Sequence, residues 1–307
     1  MWAIPLTVLS GVLLAVQSRI NGQLAAELDD GYVAAAISFG SGLILVATCT
    51  LALPRARCAT AQFCHDLWQR RFPWYLALGG VGGGMLILAQ SLTVASIGVA
   101  LFVVSLVAGQ TVTSLVVDRV GLGPGGPRQL SVSRVLGAVL MVAAVILAMS
   151  GEGITTAQHS IPWGLLILPV IAGVFVGLQQ AVNGRVSTHS GHYLTATLAN
   201  FVLGTILLVI GALIHVGVSG PPRALPTDPI LYIGGVIGVA FIAISAQLVH
   251  TLGVLTLAMT TIAGQITGSV LLDTIAPAPG THLVWTTLAG AVLTLLAAGI
   301  TARRRRV

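Results

Sequence analysis

Apolar residues run along this chain in long blocks, broken by short polar or turn-forming stretches. Residues 1–18, 31–54 and 135–151 contain no Asp, Glu, Lys or Arg. Residues 72–117 and 229–272 are also free of charge, and each is long enough for two helices joined by a tight turn. A bilayer core of about 30 Å takes about 20 apolar residues per helix. The pattern predicts ten transmembrane helices near 2–22, 31–53, 74–93, 97–118, 132–150, 162–183, 192–216, 229–250, 253–273 and 282–302. Turn formers fall between them: Gly121-Leu122-Gly123-Pro124, Pro221-Pro222 and Pro277-Ala278-Pro279.

Arginine placement orients the bundle, because cytoplasmic loops carry the basic excess. With the N-terminus inside, Arg55, Arg57, Arg70, Arg71, Arg119, Arg128, Arg134, Arg185 and Arg303–Arg306 are cytoplasmic. Only Arg19 and Arg223 fall outside, beside Glu27, Asp29, Asp30, Glu152 and Asp228. Both termini are therefore expected in the cytoplasm. The basic tail 303–307 reads as a topology anchor that can also touch anionic lipid. The first charge is Arg19, so the N-terminus reads as a retained helix and not a cleaved signal.

Composition narrows the class. The chain has 307 residues, 56% hydrophobic and 7% charged, with mean hydropathy +0.99. Soluble domains carry about 25% charge, so a soluble enzyme, a disordered chain and a nucleic-acid-binding domain are excluded. The net charge of +6 sits in loops and points to the lipid bilayer as partner, not to nucleic acid. Cys49, Cys58 and Cys64 give no disulfide framework. Cys58, Cys64 and His65 share one loop but lack a second ligand cluster, so neither metal nor cofactor is expected.

An internal duplication organises the chain. Residues 11–45 align without gaps on 173–207, an offset of 162 (173 − 11). The identities include Gly11/Gly173, Gln17/Gln179, Asn21/Asn183, Gly22/Gly184, Phe39/Phe201 and Gly42/Gly204. A second block, AGQTVTSLVVD at 108–118, recurs as AGQITGSVLLD at 263–273, an offset of 155 (263 − 108) that Gly79-Gly80 and Gly234-Gly235 share. The expected units are 1–150 and 162–302, five helices each. An odd helix count inverts the second copy in the membrane, an architecture of secondary transporters.

The Gly11, Gln17, Asn21, Gly22 run and the A-G-Q-x3-S-x3-D run resemble the YdcZ-like branch of the drug/metabolite transporter superfamily. The resemblance covers essentially the whole chain, read as a fused double copy of a five-helix unit. It implies ten inverted-repeat helices, cytoplasmic termini and transport of small organic metabolites or drugs. The short four-helix relatives use a membrane-buried Glu in helix 1, where this chain has Gln17. Carboxylate-based cation exchange of that kind is therefore not expected.

Polar groups inside a bilayer are costly and usually face the bundle interior. Gln17 and Asn21 share one helix face, as do Gln179 and Asn183. With Gln110 and Gln265 they form the expected substrate-binding set, the alternative being interhelical hydrogen-bond glue. Asp118 and Asp273 end polar stripes with Ser114 and Ser269. They read as helix-end residues facing headgroups or capping a neighbour, in preference to proton or gating groups. His250 titrates near neutrality in principle, but reads first as an interfacial histidine.

The leading expectation is a secondary-active transporter working by alternating access, with a neutral polar or amphipathic solute as partner. The fusion of both repeats in one chain is compatible with a monomer. The alternatives are a lipid flippase or a non-transporting membrane scaffold. An intramembrane enzyme is disfavoured, because Ser41 lacks a histidine at suitable depth and no two Asp share mid-depth.

Overall fold

The computed structural model describes residues 2–127, 132–150, 163–276 and 285–302. The basic tail, Glu152 and the Pro277–Pro279 turn lie outside the described residues, as does the side chain of His250. Among the described residues the chain is helical: α1 (Ala3–Leu28), α2 (Gly31–Ala52), α3 (Pro54–Trp68), α4 (Gly79–Val120), α5 (Val132–Ser150), α6 (Trp163–Ser190), α7 (Tyr193–Ser219), α8 (Gly234–Ile275) and α9 (Trp285–Ala302). Single 3₁₀ turns, Trp74–Ala77 and Pro229–Tyr232, precede α4 and α8.

Local chemistry sets the ends. Asp29 ends α1 in the left-handed conformation. Asp30 caps α2, its Oδ1 accepting from the Tyr32 and Val33 amides at 2.9 and 3.0 Å. The same carboxylate meets His215 of α7 at 3.1 Å. Arg223 closes this end, donating through its backbone N–H to the Leu28 carbonyl and pairing with Asp29 at 2.9 Å.

Two departures from the expected spans have clear causes. Residues 54–68, expected as a charged loop, form α3, begun by Pro54 at its first turn. Arg55 and Arg57 are exposed here, while Ala56 and Phe63 are buried. Phe63 joins Phe72, Leu76, Val182 and Val186 in a small core against α6. The break expected at 93–97 lies instead at Gly98, whose φ of 77° suits glycine and ends the helical run.

Gly98 folds α4 into a hairpin. Gly79 abuts Asn183 and Pro124 abuts Gly184, so both ends of α4 meet one turn of α6. In α8, Gly234 accepts from Gln17 and Ala276, just past its end, accepts from Arg19, so both ends meet one stretch of α1. A straight helix as long as α8, at about 1.5 Å per residue, would part its ends by twice a bilayer core. It therefore doubles back as α4 does.

The helices pack in cross-paired sets: α1 on α8, α4 on α6, α2 on α7 and α5 on α9. Among the described residues, six helical segments are long and apolar enough to cross a membrane: Ala3–Leu28, Gly31–Ala52, Trp74–Val120, Ile167–Ser190, Tyr193–Ser219 and Pro229–Leu248. Their outward faces stay apolar, with Ile44, Leu213 and Val218 exposed. Contiguous surfaces of that kind need lipid, not water, against them. Trp68, Trp74 and Tyr75 are exposed near α3, as aromatic residues are at membrane interfaces.

Candidate functional site

The site is built on close helix crossings. Gly173 of α6 lies against the Leu106 carbonyl and the Gln110 amide of α4, and Gly11 of α1 against the Thr261 carbonyl and the Gln265 amide of α8. A side chain at either glycine would collide with backbone, so glycine lets the helices touch. Gln110 and Gln265 are wholly buried here, and their amide groups make no hydrogen bond.

Between these crossings Phe39 of α2 and Phe201 of α7 stack, ring centroids 4.6 Å apart. Beside them is a narrow cleft with room for about one water molecule. Its walls include Gln17, Gln179, Phe39, Phe201, Gly83 and Gly238, with Phe241 and Ile242 completing the apolar side. The Gln17 amide donates to the Gly234 carbonyl at 2.8 Å. The Gln179 carbonyl oxygen is buried without a partner.

A second, similarly narrow cleft shares Gln179, Phe241 and Ile242 with the first and extends toward the α3 end. Gln180, Asn183 and Ser245 line it. Asn21 does the reverse: wholly buried, it donates to the Gln90 carbonyl oxygen at 2.7 Å, and Gln90 donates to Ser18 at 2.9 Å. Of the six expected binding residues, Gln17, Gln179 and Asn183 reach these cavities. Asn21, Gln110 and Gln265 lie in helix contacts and line neither.

The carboxylates sit at ends. Asp273 accepts hydrogen bonds from the Val99 and Ala100 amides at 3.2 and 2.6 Å, capping the second limb of α4 just past Gly98. Arg19 lies close by, donating to the Ala276 carbonyl. Asp118 is buried and engaged with neighbouring groups. At the α3 end Asp66 meets His189 at 3.0 Å. That hydrogen bond is the main reason its carboxyl lies below the ordinary value of 3.8. Among the described residues no three His, Cys, Asp or Glu side chains come together to hold a metal.

Sequence reasoning missed four polar residues at the site. Asn200 is 1% exposed, with both amide atoms unpartnered, and lies against Gly83. Gln90, Gln180 and Ser245 complete the set. None is identical between the copies, which is why matching identities passed over them. Their signal was a strong hydrogen-bonding side chain within an apolar run.

The family described as "Putative inner membrane exporter, YdcZ" matches this chain twice, over residues 2–147 and 164–300. The chain belongs to that family. It is an inner-membrane transport protein of the YdcZ branch of the drug/metabolite transporters. Among solved structures, one described only as the crystal structure of a protein superposes with a TM-score of 0.58 at 17% identity. The match spans 98% of this chain and 95% of that one, and shows a shared fold. Comparison with curated protein sequences finds no match.

Proposed function

We propose that this YdcZ-family chain is a secondary-active exporter of small neutral polar or amphipathic organic solutes, working by alternating access. One observation carries the reading: a single cavity walled by Gln17 from the first half and its repeat equivalent Gln179 from the second. A site shared by matching residues is what two exchanging halves require.

The supporting frame is ten crossings in two inverted repeats, 1–150 and 162–302, with the α3 end and both termini in the cytoplasm. The two hairpins bring the crossings to ten. Contacts recur with the halves exchanged: Gly79 meets Asn183 as Gly234 meets Asn21, and Gly173 meets Leu106 as Gly11 meets Thr261. Each pair obeys the offsets 162 and 155, and the family matches each half separately. The protein works as a monomer, because the fusion supplies both halves, and it catalyses no covalent chemistry.

The test is a thermal-shift screen of the purified full chain against neutral metabolites and drugs. A binder at 100 times its Kd stabilises the fold by about 2.7 kcal/mol. Gln17→Leu and Gln179→Leu should remove that shift while the protein still folds and inserts. Unchanged ligand shifts in both variants would overturn the site.

A further inference from the structure

Ser18, Gln90 and Asn21 are joined by two side-chain hydrogen bonds at the end remote from α3. Their repeat equivalents are Gln180 (18 + 162), Ser245 (90 + 155) and Asn183 (21 + 162). The composition is the same, one Asn, one Gln and one Ser, but Ser and Gln have traded helices. Such a trade keeps a hydrogen-bonding partnership while changing both partners.

The two triads differ in state. Ser18, Gln90 and Asn21 are each 0% exposed. Gln180, Ser245 and Asn183 line the open cavity, no side-chain hydrogen bond joins them, and the Gln180 carbonyl oxygen has no partner. Asn21 Oδ1 is likewise unpartnered, so the triads are set apart by the two hydrogen bonds that only the first makes.

We infer that the triads are paired latches, one shut whenever the other is open, and that the open one binds a neutral group able to donate and accept hydrogen bonds, such as an amide. The inference rests on the alternating-access reading. The closed triad shows the pairing that the open one offers: amide donor to amide oxygen, amide donor to hydroxyl. A solute amide fits those positions, and a carboxylate, which only accepts, does not. When the solute leaves, Gln180, Ser245 and Asn183 close on one another, and the Asn21 triad is free to part.

Two equivalent reporter positions test this. Ser91 and Ala246 are related by the same offset (246 − 91 = 155). Ala246 lines the open cavity, and the Ser91 hydroxyl makes no hydrogen bond that a cysteine would break. In the full chain with Cys49, Cys58 and Cys64 replaced by Ser, the A246C reporter should react with N-ethylmaleimide faster than S91C. Gln90→Leu removes both bonds of the closed latch. It should raise S91C labelling about tenfold and lower A246C labelling in step. Ser18→Ala removes one bond and should move both rates the same way by less, which keeps the test usable if Gln90→Leu does not fold. Acetamide should slow A246C labelling, and acetate should not.

Equal labelling at both reporters in the parent, or a Gln90→Leu or Ser18→Ala response at one reporter alone or at neither, overturns the latch. Protection by acetate equal to that by acetamide overturns the ligand class. Loss of the paired response with ligand binding still dependent on Gln17 and Gln179 removes the latch and leaves the transport reading. A paired response with binding indifferent to both Gln residues supports the latch and removes the central site.

Discussion

Phe39 and Phe201 stack face to face, and each also fills the space left by a glycine on the other's helix. Phe201 lies against Gly42, and Phe39 against Gly204. Each ring therefore serves one self-complementary contact twice. A methyl group at Gly204 would overlap the Phe39 ring, and the nearby Gly80 carbonyl limits retreat. Gly204→Ala should cost about 1–3 kcal/mol. Adding Phe39→Leu should recover part of that loss, a non-additivity that thermal unfolding of the four variants of the cycle measures.

Asp273 holds the start of the second limb of α4 through two backbone amides. Asp273→Ala should lower stability by about 1–2 kcal/mol. Asp273→Asn, which keeps one acceptor, should lose less. Hydrogen exchange at Val99 and Ala100 should quicken in the same order. Intact stability in Asp273→Asn with abolished pH-driven transport would instead make Asp273 a proton carrier.

The contact between Asp66 and His189 fastens α3 to the end of α6. Its pH dependence follows from the carboxyl, whose pKa is lowered by folding, chiefly by the His189 hydrogen bond. A lowered acid contributes its full stabilisation above its unfolded value of 3.8 and loses it as pH falls through the folded value. Exchange protection of α3 should therefore hold from pH 7 to about pH 5 and fall below pH 4. Asp66→Asn should weaken that protection at neutral pH while the unfolding of the whole bundle moves little.

In the proposed five-plus-five frame, Glu152 and Val307 face opposite sides of the membrane. Reporter fusions at the two positions, one active only inside and one only outside, should give opposite signals. Matching signals would remove the five-plus-five frame.

The long apolar runs made most of the helices legible, because lipid leaves the backbone few other ways to satisfy its hydrogen bonds. The spans of α2 and α5 follow the charge-free stretches closely. Charge was the misleading signal. Arg55, Arg57, Arg70 and Arg71 mark an interface, and residues between them read as loop, yet Ala56 and Phe63 give α3 a buried side. The first helix, expected to end near residue 22, runs on to Leu28, and Arg19 within it donates to the Ala276 carbonyl. At the site, identity between copies found Gln17 and Gln179. It could not find Gln90 and Ser245, since a hydrogen bond specifies a pair of groups, not which helix carries each.

The repeat offset falls from 162 to 155 between Leu207 and Gly234, and the stretch that differs is where the first half carries α3 and the second has an extended segment, Gly220–Asp228. Two strictly identical halves would make a degenerate machine, with both orientations of equal energy. In the proposed alternating-access cycle, the seven residues (162 − 155) are among the differences that lift that degeneracy, as is Arg19, whose repeat equivalent is Ala181. In that cycle the resting orientation is then set by what one half has and the other lacks. Mutation can retune that preference far from the solute, without altering any group that touches it.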